Sequence, residues 1–123
     1  TRVRCAMINY APHQALGEIW TVVGDANRYF AAQEPWRLGK SDPARRDAVL
    51  FTTLEALRIV GILCQPFIPA AASKLLDLLA VRAEERDIAH AAPEHRLFEG
   101  ADLPAPSPVF PRHVEAQEEG AAQ

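Results

Sequence analysis

Cysteine is scarce in this chain: Cys5 and Cys64 are the only two in 123 residues. They lie far apart, form no Cys-x-x-Cys pair and have no neighbouring histidine. That argues against a disulfide framework or a zinc site and for reduced thiols in a cytosol. Long apolar runs are missing too. No stretch approaches the roughly 20 residues that cross a bilayer, so no membrane partner is expected. The opening Thr-Arg-Val-Arg-Cys-Ala-Met has neither the apolar core nor the cleavage site of a secretory signal. Without an initial methionine, it reads as a cut inside a longer chain. Positive charge is not in excess either. The formal net charge of −3 excludes a protein that grips nucleic acid by bulk electrostatics, because counterion release needs clustered Lys and Arg. Any RNA contact has to be local.

What is present is the material of one soluble domain. The sequence is 49% hydrophobic and 24% charged, and domains of roughly 100–150 residues carry a single core. From Ala11 to Gln33, Leu16, Ile19, Trp20, Val23, Ala26, Tyr29 and Phe30 recur at three- and four-residue steps, which predicts a helix with Trp20 in the core. Pro12 suits its first turn, and Pro35 ends it by pushing Glu34 out of the α region. Gly17 and Gly24 each weaken it by about 1 kcal/mol, so it needs tertiary packing.

Arg37 to Ser41 reads as a polar connector. Asp42-Pro43 is a start signal, a capping carboxylate followed by proline at the first helical position. The stripe Val49, Leu50, Thr53, Leu54, Leu57, Val60, Leu63 and Cys64 predicts a second helix up to Gln65, with Arg45, Arg46, Asp47, Glu55 and Arg58 facing water. Pro66 ends it, and after Phe67 the pair Ile68-Pro69 and the run from Ala70 to Val81 read as a third helix. The fold class expected is all-α, an antiparallel helix bundle. Arg82 to His90 can add a short helix. Leu103 to Pro111, with four prolines, favours an extended strap across the bundle anchored by Val109 and Phe110. Residues 1–115 form the helical domain in this reading, and 116–123 a disordered acidic tail.

Signs of catalysis are weak. Gly39-Lys40-Ser41 imitates the end of a phosphate loop, but that loop needs glycine where Glu34 stands, and a strand before it. His13, His90, His95 and His113 have no partners at ligand spacing and read as surface histidines. Glu84-Glu85-Arg86-Asp87 reads as a solvated face. No catalytic residue and no metal ligand is assigned.

Three ordered motifs are specific. Asn27, Tyr29 and the Pro35-Trp36 pair close the first long helix; Gln65-Pro66-Phe67-Ile68-Pro69 marks a turn; Val109-Phe110-Pro111-Arg112 lies near the end. Together they resemble the C-terminal α-helical anticodon-binding domain of bacterial methionyl-tRNA synthetase. Gln65 replaces that family's usual basic residue, and base-reading side chains that the family carries on an upstream helix have no counterpart here.

The resemblance implies recognition of the methionine tRNA anticodon, with Trp36 as the matched residue placed against bases. An aromatic ring on a loop past a helix end can stack on an unpaired base for about 1–3 kcal/mol. Read alone, the Pro-Trp pair equally fits a buried anchor of the turn. Arg28, Arg37, Lys40, Arg45 and Arg46 are either phosphate contacts or solvated charges. Asn27 and Pro35 read as structural, Asn27 as a buried amide fixing the turn. The complete enzyme would join methionine to tRNA with ATP and Mg²⁺ on a catalytic domain that this chain lacks, so the chain itself is assigned no cofactor. Its expected partners are tRNA(Met) and that catalytic domain. Rival readings are the anticodon-binding domain of another class I synthetase and a helical protein-interaction bundle. If an upstream helix is absent, an open apolar groove is expected.

Overall fold

The computed structural model of the chain describes residues 2–98, 100 and 102–113. Five helices follow one another: α1 (Arg2–Ile8), α2 (Pro12–Gln33), α3 (Pro35–Leu38), α4 (Pro43–Cys64) and α5 (Pro69–Leu78). Among the described residues there is no strand, and the all-α expectation holds. Proline opens each of the last four helices, where its missing N–H costs nothing. The Asp42 carboxylate caps α4 by accepting from the Arg45 amide at 3.1 Å. Several helices end without glycine. Tyr10, Glu34 and Ala80 take left-handed backbone (φ 54, 43 and 57°) just beyond α1, α2 and α5, a conformation that costs a residue with a Cβ about 1 kcal/mol. After α1 and α5 the turn recovers hydrogen bonds, Ala11 N to Ala6 O at 2.9 Å and Val81 N to Leu76 O at 3.0 Å.

α2 and α4 lie antiparallel, so Ile19 meets Val60 and Cys64 in a cluster completed by Ala72 of α5. A second cluster joins Ile62, Leu76, Leu79 and Val81. The α4–α5 approach is close because Gly61 has no side chain: a Cβ there would meet Leu76 Cδ2 at 3.0 Å. Both clusters sit toward the C-terminal half of α4, away from Trp36.

Several expectations need correction. Trp20 is 61% exposed, not core; at 100° per residue it stands at the edge of the face centred on buried Ile19. Arg58, expected in water, is 2% exposed. It pairs with Glu55 and donates to the carbonyls of His90 and Ala92, because the chain after α5 folds back over this side of α4. That returning segment forms three 3₁₀ turns, Ala83–Glu85, Ile88–Ala91 and Pro93–His95, where a short helix was expected. α5 stops at Leu78, short of Val81. The first two residues of the polar connector, Arg37 and Leu38, belong to the one-turn helix α3. The strap forms no helix and bends at Val109 and Phe110; Val109 is half-buried, but Phe110 is 73% exposed and lines only one edge of a groove with Trp20, Leu57 and Ile68. The predicted acidic tail lies outside the described residues.

Candidate nucleic-acid interface

The corner between α2 and α4 is built by Pro35. It pushes Glu34 away from right-handed helix, and Glu34 turns left-handed instead (φ 43°, ψ 57°). Pro35 is buried, and the Arg37 amide donates to Glu34 O at 2.9 Å to start α3. The chain then closes onto α4 through Asp42 N to Leu38 O at 3.0 Å. Trp36 is thus the first side chain past a buried proline. Its ring rests on Phe30, centroids 5.8 Å apart and planes tilted by 58°, yet it is 63% exposed. An indole braced on one side and open on the other is a stacking platform.

The five cations expected near RNA do not share one situation. Arg37 is adjacent to Trp36, within 3.4 Å of the Glu34 carboxylate. Arg45 reaches back to Gln33 Oε1 at 2.6 Å. Arg46 donates to Gly39 O at 3.3 Å and pairs with Asp47 at 2.9 Å. Lys40 is exposed in the same turn and makes no ion pair among the described residues. Arg28 stands apart: it pairs with Asp25 at 2.8 Å, and two residues before Phe30 it points about 200° away around α2. Arg37, Lys40, Arg45 and Arg46 therefore surround the corner, and Arg28 does not.

Asn27 is exposed and makes no side-chain hydrogen bond among the described residues, so the expected buried amide is not found. One turn from Phe30, it lines an apolar groove of about 310 Å³ between α2 and α4, with Val23, Ala56, Leu57 and Val60. This groove runs along α2 from Phe30 to Val23.

Residues 6–123 match the family described as the anticodon binding domain of methionyl tRNA ligase. The chain belongs to this family. The anticodon-binding domain is 59% identical over 118 residues to the methionine–tRNA ligase of Brucella suis biovar 1 (strain 1330), a match covering 94% of the chain and 22% of that enzyme. It is 44% identical over 124 residues to the ligase of Mycobacterium leprae (strain TN), covering 98% and 23%. Its fold superposes on the free-state crystal structure of Mycobacterium tuberculosis methionyl-tRNA synthetase with a TM-score of 0.86. Identity there is 43%, over 92% of this chain and 23% of that one. The complex of the same enzyme with methionyl-adenylate gives 0.86 and 44% over 90% and 22%. The chain thus spans about a fifth of the length of the relatives it matches.

Among the described residues no three His, Cys, Asp or Glu side chains converge, and Gly39-Lys40-Ser41 follows a helix rather than a strand. No helix among the described residues is long and apolar enough to cross a membrane. The sequence of the anticodon-binding domain announces neither the partner of Gln33 nor the burial of Arg58. Gln33 owes its significance to Arg45, twelve positions on. Arg58 carried one local signal, Glu55 three residues before it.

Proposed function

We propose that this domain reads the anticodon of tRNA(Met), with Trp36 stacking on an unpaired base and Lys40, Arg37 and Arg46 placed to meet the adjoining phosphates. The single observation that carries this is the exposed indole held on Phe30 at a proline-built corner. Asn27, whose amide is uncommitted one turn from Phe30, is available to an edge of the same base. Within a complete enzyme the domain would work beside a catalytic domain that ligates methionine to tRNA with ATP and Mg²⁺ in the cytoplasm. The part of this chain is selection.

Titration of the chain into a dye-labelled tRNA(Met) anticodon stem-loop, read by the dye's fluorescence anisotropy, tests the reading. Trp36→Ala should weaken binding by about 5- to 150-fold, the equivalent of roughly 1–3 kcal/mol of stacking, with the circular dichroism unchanged. Equal affinity for a scrambled anticodon, or an unaffected Trp36→Ala variant, would sink it.

A further inference from the structure

Among the described residues one side-chain hydrogen bond joins the two 22-residue helices, from the Arg45 guanidinium to Gln33 Oε1 at 2.6 Å. It lies at the end of the pair that carries Trp36, where the other polar ties run to the connector rather than from helix to helix, Asp42 N to Leu38 O and Arg46 to Gly39 O. The buried residues of α2 are Ala15 and Ile19, both in its first half. On α4 every buried residue except Val49 comes from Arg58 onward. Between these regions, where Phe30 faces Thr53 and Ala56, the helices leave the open groove.

The bonded pair spans the connector. Gln33 is the last residue of α2, and Arg45 is in the first turn of α4 with its own amide tied to Asp42. Everything between them is the left-handed Glu34, Pro35, Trp36 and the turn to Asp42. A change in the spacing of the two helix ends therefore moves the platform bearing Trp36.

We propose that Arg45 is a positioning residue: its bond to Gln33 sets the spacing of α2 and α4 at this corner and so the direction in which Trp36 meets a base. The proposal rests on the anticodon reading above. A charged donor to an amide oxygen is the stronger kind of hydrogen bond. Committing the guanidinium to Gln33 also distinguishes Arg45 from Lys40, whose charge is free among the described residues. The competing role is direct: a phosphate contact in which Gln33 is incidental.

The two roles separate in a double-mutant cycle on the full chain with Gln33→Met, Arg45→Met and the pair together. Trp20→Phe in the background leaves Trp36 as the only indole. In the first arm, without RNA, each single change should raise acrylamide quenching of Trp36, and the double should raise it no further. In the second, each single change should cut the preference for the methionine anticodon over a scrambled one by about fivefold, near 1 kcal/mol. The double should again add nothing, and the slope of log affinity against log salt should hold. Wild-type quenching and preference in Gln33→Met would overturn the proposal. So would a salt slope reduced by about 0.7 in Arg45→Met alone, the mark of one lost phosphate contact on single-stranded RNA. If the unmutated chain binds neither RNA, the anticodon reading fails for this chain, and the first arm still decides whether Arg45 positions Trp36.

Discussion

Arg58 and Glu55, three residues apart on α4, hold the returning chain at three points: Arg58 donates to the carbonyls of His90 and Ala92, and Glu55 accepts from the Leu97 amide at 3.1 Å. Every polar atom of this buried pair finds a partner among the described residues. The pair is thus a clasp, and removing one half strands the other.

Arg58→Met should cost about 2 kcal/mol of stability in urea unfolding at neutral pH, since it leaves the half-buried Glu55 carboxylate without its counter-ion and the carbonyls of His90 and Ala92 without their donor. Burial raises the Glu55 carboxyl, but the Arg58 hydrogen bond, the Leu97 amide and the charges of Arg58 and Arg96 outweigh it and hold the group below its ordinary value. A lowered folded value means stability that is present above the unfolded value and lost as pH falls through the folded one. Wild type should therefore lose stability toward acid, and Glu55→Gln should lose less over the same range.

Gly61 and Gly17 should respond to alanine in opposite ways. A Cβ at Gly61 would press on Leu76, itself fully buried and unable to yield; overpacking of that kind costs about 1–3 kcal/mol, against about 1 kcal/mol gained in helix propensity. Gly17 has nothing within 4 Å. Thermal melts should show Gly61→Ala below wild type and Gly17→Ala above it.

Lys40→Gln should flatten the salt dependence of anticodon stem-loop binding by about 0.7 in log–log slope. Arg28→Gln should leave it unchanged, because Arg28 lies about 200° around α2 from Phe30, on which Trp36 rests. Equal effects from both would mean that RNA covers much more of α2 than the corner.

The two thiols should react at very different rates. Cys5 is exposed and Cys64 buried, where desolvation raises the thiol's pKa and starves it of the reactive thiolate. A chromogenic disulfide reagent should titrate one equivalent from native protein. The second should appear at least about 100-fold more slowly, since it waits on an opening costing a few kcal/mol.

Much of this fold was legible because local signals agreed with tertiary ones. Pro12, Asp42-Pro43 and Pro69 mark helix starts in the sequence and in the structure, but of the stripe on α4 only Val49, Val60 and Cys64 are buried, while Leu50 and Leu57 are exposed and Arg58, Gly61 and Ile62, off the stripe, are covered by α5 and the returning chain. α1 was not read: seven residues are too few to show a period, and it is held by Val3 and Ala6 against the rest. Arg58 was misread because the carbonyls it satisfies lie more than thirty positions later. Periodicity gives an arc of a helix and not how far its neighbours cover it, which is why Trp20 was placed inside. At the corner, Pro35-Trp36 announced the turn, but the bond between Gln33 and Arg45 is set by the antiparallel register of α2 and α4, and no short window of sequence contains it.

The strap has a consequence of length. Leu103 lines a groove with Leu50, Phe51, Leu54 and Leu79, while Val109 and Phe110 line another with Trp20, Leu57 and Ile68. Six steps of chain carrying three prolines join them, with a reach of about 19 Å at 3.1 Å per residue. With Pro104, Pro106 and Pro108 between the two seats, the segment has little slack to take up or give out. It works as a ruler: losing one Pro-x pair shortens it by about 6 Å, and one seat or the other must then stand empty.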